Sequence, residues 1–129
     1  MEVLSIILSA GKGSRLKSSK PKPLHNVAGK PLLGWITETL SKLNVKNNIL
    51  IVGHKHEEIL ECFNNPNYII QEPQLGTGHA LKIAKDKLND FNGIILVIFA
   101  DTPFIEEKTI KSLIRNVSDN SVSMGILVL

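Results

Sequence analysis

The sequence predicts a three-layer α/β fold built on a largely parallel sheet. Three observations lead there. Short apolar runs alternate with segments of helical periodicity along the whole chain. Several of those runs are continuously apolar, as expected for strands covered on both faces. The chain is also large enough, at 129 residues, to bury one core without disulfides or a structural metal. Cys62 is its single cysteine and has no partner within the chain, which fits a reducing cytosol.

Taken in order, Val3 to Leu8 is the first strand. A glycine-containing basic loop follows, and Pro31 stands ahead of a helix whose Leu33, Ile36, Leu40 and Leu43 fall on one face. Ile49 to Val52 is the second strand. After Gly53, the residues Ile59, Leu60 and Phe63 mark a short helix, and Tyr68 to Ile70 a short strand. Gly78 leads into a helix with Leu81, Ala84 and Leu88 on one side. Ile94 to Phe99 is the most hydrophobic strand and is expected at the centre of the sheet. Pro103 and the pair Glu106 and Glu107 open the next helix, where carboxylates suit the N-terminal dipole, and Ile110, Leu113, Ile114 and Val117 form its apolar stripe. Val122 to Leu129 reads as a last strand that reaches the end of the chain. No internal repeat or linker interrupts the pattern.

Composition narrows the function classes. The longest apolar run, Gly93 to Ala100, is far short of the roughly 20 residues of a membrane helix. Glu2 precedes the apolar N-terminal run and no basic segment does, which argues against a signal peptide. The net charge is only +3, but Lys12, Arg15, Lys17, Lys20, Lys22 and Lys30 cluster, and no Asp or Glu falls between Glu2 and Glu38. Such a block attracts an anion. It contains no Phe, Tyr or Trp, so a small phosphorylated ligand is favoured over nucleic acid.

Parallel α/β sheets take their ligands beyond the carboxyl ends of the strands. Three loops therefore matter: Ser9 to Leu24, Gln71 to His79, and Ala100 to Phe104. In the first, small residues after a buried strand allow backbone N–H groups to form an anion nest. The dinucleotide pattern G-x-G-x-x-G fails because Leu16 stands where the third glycine belongs, and no Walker A pattern occurs. What remains is G-x-G-x-R over Gly11 to Arg15, followed by Lys22: a guanidinium that grips two phosphate oxygens and a point charge. Pro21 and Pro23 flank Lys22 and are expected to hold it in a stiff extended segment.

Asp101 directly follows the most apolar strand. A carboxylate there suits Mg²⁺ beside phosphates, and equally suits an N-cap or turn ahead of the next helix. Gln71 offers a donor and an acceptor that suit the edge of a base, within a loop that also reads as an ordinary strand-to-helix connection. His54 and His56 have no accompanying Cys or carboxylate cluster and read as loop histidines. His25 and His79 are expected as hydrogen-bonders within their loops, Trp35 as packing on a helix face, and Lys82, Lys85 and Lys87 as a solvated face.

Together the stretches Leu8–Arg15, Pro21–His25, Ala28–Leu32, Gln71–Ala80 and Ala100–Pro103 resemble the sugar-phosphate nucleotidyltransferases, over essentially the whole chain. The Gln71–Ala80 stretch is similar to the bacterial N-acetylglucosamine-1-phosphate uridylyltransferases in particular. The resemblance implies a three-layer α/β/α, Rossmann-like nucleotidyltransferase fold, with residues 1–129 as the N-terminal nucleotide-binding portion of the domain. It implies the reaction of UTP with N-acetylglucosamine 1-phosphate to give UDP-N-acetylglucosamine and pyrophosphate, in the cytoplasm, for peptidoglycan and lipopolysaccharide precursors. The matching residues would be Leu8, Ser9, Ala10, Gly11 and Gly13 against the nucleotide, and Arg15 on the departing pyrophosphate. Lys22 would neutralise phosphate, and Gln71, Gly76 and Thr77 would form the base pocket. Phe99, Ala100 and Asp101 would contact nucleotide and sugar, with Asp101 as a ligand of the Mg²⁺ cofactor.

Two departures from the family follow. Ala100 stands where glycine is usual, and its methyl group is expected to be tolerated. The family's domain is longer than this chain, and its later part supplies sugar contacts and a second metal ligand. Its β-helical acetyltransferase domain, which makes the trimer in the family, is not expected within these 129 residues. Little independent catalysis and a monomer or weak dimer are therefore expected. The alternatives are a nucleotide-binding protein without catalysis, or a relative that uses another base or sugar, which the Gln71–Ala80 stretch disfavours.

Overall fold

The computed structural model describes residues 1–11, 19–53, 55–64, 67–119 and 122–128. Its elements in chain order are β1 (Val3–Leu8), a 3₁₀ turn (Lys22–Leu24), β2 (Asn26–Val27), β3 (Lys30–Pro31), α1 (Leu32–Lys42), β4 (Asn47–Val52), α2 (His56–Cys62), β5 (Asn67–Ile70), α3 (Thr77–Ala84), a 3₁₀ extension (Lys85–Leu88), β6 (Ile94–Phe99) and α4 (Glu107–Asp119).

The main sheet is four-stranded and wholly parallel, in the order β5-β4-β1-β6. The chain builds outward from β1 through β4 to β5, then returns to place β6 on the other side of β1. Right-handed crossovers require a reversal of direction to put the connecting helix on the opposite face. The two cores reflect this. One holds Ile7, Leu50, Val52, Leu96 and Ile98 under Leu33, Ile36 and Leu40 of α1, Ile59 of α2 and Ile110 of α4. The other holds Leu4, Ile6, Ile49 and Ile51 under Ala80 and Ala84 of α3. Small alanines let α3 lie close to β1 and β4.

The periodic segments became the expected helices. Leu33, Ile36 and Leu40 are buried and Leu43 packs against the same core. Leu113 and Ile114 flank the buried Ile110 on α4. Trp35 lies on the exposed side of α1, where its indole N–H donates to the Val27 carbonyl at 2.7 Å, Lys30 Nζ sits 4.4 Å from its ring and Phe104 packs on it with centroids 5.6 Å apart.

Two expectations are corrected. Among the described residues Ile94–Phe99 is an edge strand, since β6 has β1 on one side and no described strand on the other. Leu96 and Ile98 face the α1 and α4 side, but α3 does not extend over β6, and Ile95, Val97 and Phe99 on that face are exposed. An unbroken apolar run thus marked two apolar faces, one of them bare. Residues 122–128 form no strand. They run beside α4, where a side chain on Gly125 would come within 3.0 Å of Val117 and 3.2 Å of Leu113, while Met124, Ile126 and Val128 are exposed. Pressed against a helix, the segment has no ladder partner, and an apolar run without one is not a strand.

The short antiparallel pair β2–β3 carries no strong signal in the sequence. Its turn residues Ala28 and Gly29 both adopt positive φ, 51° and 80°, the left-handed pair of a two-residue hairpin. Alanine at the first of them hides the usual Asn-Gly signal.

Candidate functional site

The reversal of strand order falls between β1 and its two neighbours, and such switch points open a crevice at the carboxyl ends of the strands. A cleft of about 390 Å³ lies there. Leu8, Ser9, Ala10 and Gly11 enter it from the end of β1, and Phe99, Ala100 and Asp101 from the end of β6. Lys22 and Pro23 come from the 3₁₀ turn, and Gln71, Gln74, Gly76, Thr77 and Ala80 from the connection between β5 and α3. Every expected site residue within the described residues lines this cleft. Gly13 and Arg15 lie outside the described residues, as do Lys12, Lys17 and His54.

The loop after β1 is tied down from below. Ser9 is buried and bonds the Ile51 carbonyl twice, through its backbone N–H at 2.9 Å and its hydroxyl at 2.8 Å. The Ala100 N–H donates to the Leu8 carbonyl at 3.0 Å, continuing the ladder past β6. Gly53, at the end of β4, admits a close approach: a Cβ there would lie 2.9 Å from the Ala10 carbonyl oxygen and would collide with the Gln74 amide. Ala100 is buried in the core on the α1 and α4 side, so its methyl group is absorbed in packing.

Lys22 is not in an extended segment. Pro21 is extended at ψ 139°, but the chain then tightens into a 3₁₀ turn closed by Leu24 N–H to Pro21 O at 3.0 Å and His25 N–H to Lys22 O at 3.1 Å. Pro23 needs no hydrogen-bond partner in such a first turn, and the burial of Pro23 and Leu24 pulls it onto the core. His25 Nε2 lies 3.0 Å from the Lys20 carbonyl, closing the loop as expected. The turn delivers Lys22 Nζ to within 3.2 Å of Asp101 Oδ2, across 79 residues of sequence.

Of the readings of Asp101, the N-cap is excluded and the turn is observed. The helix after it starts only at Glu107, so Asp101 is no N-cap. It lies within a turn closed by Thr102 N–H to Phe99 O at 3.2 Å, and its side chain is half exposed at the cleft. It is the one carboxylate among the described lining residues. An accessible hard oxygen beside a cation suits a divalent ion bound by one carboxylate, phosphate oxygens and water.

The β5–α3 connection contains a cis peptide between Glu72 and Pro73 and a Gly76 at φ 98°, a conformation that favours glycine. Gln71 is buried, at 4% exposure, and its Nε2 donates to the Gly76 carbonyl at 2.9 Å and meets His79 Nδ1 at 3.0 Å. Neither Gln74 at the cleft nor the Gln71–His79 contact carries a signal in the sequence, although both lie inside the stretch Gln71–Ala80. Nothing in the order of residues shows which side chains of a loop fold back on one another.

A larger depression of about 710 Å³ lies at the opposite ends of the strands, lined among others by Met1, Val45, Ile94 and Lys111. It collects no residue of the three loops. The cleft at the carboxyl ends is the one that collects residues from all three loops, with Lys22, Asp101 and Gln71 among them.

The family described as the MobA-like NTP transferase domain matches residues 5–127. The chain belongs to this nucleotidyltransferase family. The bifunctional protein GlmU of Acetivibrio thermocellus is 39% identical over 126 residues, which is 97% of this chain and 27% of that protein. The chain thus spans about a quarter of the length of that curated relative. Among solved structures, HddC from Yersinia pseudotuberculosis, complexed with GMP-PN, superposes with a TM-score of 0.73 at 32% identity, over 92% of this chain and 55% of that one. Rv0371C from Mycobacterium tuberculosis, complexed with manganese, shares the fold with a TM-score of 0.70 at 16% identity, over 94% of this chain and 60% of that one. The parallel sheet and its helices are thus those of a nucleotidyltransferase. No helix among the described residues is long and apolar enough to cross a membrane.

Proposed function

We propose that this chain is the UTP-binding portion of an N-acetylglucosamine-1-phosphate uridylyltransferase. The observation that carries the reading is the meeting of Lys22 and Asp101 at 3.2 Å in a cleft also lined by Gln71, Gly76 and Thr77. A cation, a carboxylate suited to a divalent ion and a buried amide thus line one cleft, which supports a site for a triphosphate and its base. The similarity to GlmU along 97% of the chain supports uridine and N-acetylglucosamine 1-phosphate as the substrates.

In this reading the backbone from Leu8 to Gly11 lies along the nucleotide, and Lys22 and Arg15 neutralise the phosphates. Gln71, Gly76 and Thr77 hold the base. Asp101 is a ligand for Mg²⁺, which when bound screens phosphate charge and orients the triphosphate. The protein's own contribution is positioning and charge neutralisation, and no side-chain nucleophile is needed for attack of a sugar-phosphate oxygen on the α-phosphorus. Cys62, exposed on α2 and absent from the cleft lining, takes no part.

The test is calorimetric titration of the chain with UTP in the presence of Mg²⁺. Binding in the micromolar to millimolar range is expected, and its absence at millimolar UTP would sink the reading. Pyrophosphate release from UTP and N-acetylglucosamine 1-phosphate is expected to be slight for these 129 residues alone.

A further inference from the structure

Gln71 has two amide hydrogens and one carbonyl oxygen with which to meet a ligand. The Gly76 carbonyl, 2.9 Å from Nε2, can only accept, so it fixes which end of the amide is nitrogen. The other hydrogen is directed at His79 Nδ1, 3.0 Å away. An amide nitrogen has no lone pair to offer, so that contact is a hydrogen bond only if Nδ1 is the acceptor. His79 must then be the neutral tautomer with its proton on Nε2. Both donors of Gln71 are thereby used inside the protein, and the capacity left to it is the acceptor Oε1. Gln71 is almost wholly buried, so an amide turned the wrong way would set oxygen against oxygen at Gly76 with no water to relieve it.

We propose that His79 is a positioning residue for base specificity: together with the Gly76 carbonyl it holds both hydrogens of the Gln71 amide, so that only the carbonyl oxygen is offered to the base. A fixed acceptor favours a pyrimidine that carries a ring N–H, such as uracil. Cytosine presents a lone pair at the corresponding ring nitrogen and is disfavoured. His79 lies at the start of α3, half-buried, and need not touch the nucleotide to do this. The inference rests on the proposed UTP site and adds to it the source of its choice of base.

The experiment compares the dissociation constants of UTP and CTP, each with Mg²⁺, for the unaltered chain, His79→Asn and His79→Leu. Asparagine places an acceptor oxygen near the position of Nδ1, whereas leucine removes it. The unaltered chain is expected to prefer UTP, His79→Asn to keep that preference, and His79→Leu to lose it severalfold, because one of the two acceptors that hold the amide is gone and Gly76 holds it alone. A CTP-to-UTP ratio unchanged in a His79→Leu variant that still binds UTP overturns the inference. If the unaltered chain binds neither nucleotide, the proposed function fails first and this inference fails with it. A second measurement does not depend on any variant folding. Imidazole nitrogen chemical shifts of the unaltered protein are expected to show His79 Nδ1 without a proton, and a protonated Nδ1 in the neutral ring contradicts the lock.

Discussion

Replacing Lys22 by alanine separates a binding role from a structural one, because the two predict losses of different size in different assays. The Lys22–Asp101 pair is 3.2 Å long, but its side chains are 39% and 50% exposed. Ion pairs this open to solvent contribute about 0.2–1 kcal/mol to folding. Lys22→Ala should therefore lower the unfolding midpoint by no more than about 4 °C in a chain of this size. A cation hydrogen-bonded to a phosphate is worth more, about 1.5–3 kcal/mol, which corresponds to a loss of roughly 10- to 150-fold in affinity. The unpaired Asp101 carboxylate would then also face the triphosphate and add to the loss. Thermal unfolding and calorimetric titration with UTP and Mg²⁺ read the two effects on one preparation, with Lys22→Arg as the variant that keeps the charge. Affinity unchanged within twofold in Lys22→Ala would refute the phosphate-binding role. A midpoint lowered by more than 10 °C would show that the pair is structural.

Asp101→Asn should abolish most of the gain in UTP affinity that Mg²⁺ brings while leaving metal-free affinity equal or higher, since a negative charge is removed beside the triphosphate; titrations with and without Mg²⁺ check this. Gly53→Ala should weaken UTP binding severalfold, because a Cβ 2.9 Å from the Ala10 carbonyl pushes on the loop after β1, and the same titration reads the loss. Leu40→Ala, at a fully buried position on α1, should cost about 2–5 kcal/mol in urea unfolding, and a cost under 1 kcal/mol would contradict its place in the core.

The strands and helices that fill the core were legible because each carries its own periodicity. Val3–Leu8 and Ile49–Val52 are buried on both faces, and their runs, apolar but for Ser5, said so. The run Ile94–Phe99 gave the same signal and a different outcome. Periodicity reports that a face is apolar, not what covers it, and the neighbours of β6 are decided by the path of the whole chain. Val122 to Val128 fails for a related reason, since strand character needs a partner that local sequence does not name. Lys22, Gln71 and Asp101 were legible as chemistry because each residue type sits after a strand, where α/β folds collect ligands. Their mutual geometry was not. The Lys22 turn depends on burial of Leu24, and the Gln71–His79 bond on the left-handed Gly76, which folds one end of the loop over the other.

The most direct measurement is a two-dimensional amide NMR titration of the intact chain with UTP and Mg²⁺. Binding in the cleft predicts that shifts concentrate on Ser9 to Gly11, Gln71, Gly76, Thr77 and Ala100 to Thr102, while Val45, Ile94 and Lys111 at the far end of the strands stay still. No perturbation at millimolar UTP, or one confined to the far end, would contradict the assignment of this cleft as the nucleotide site.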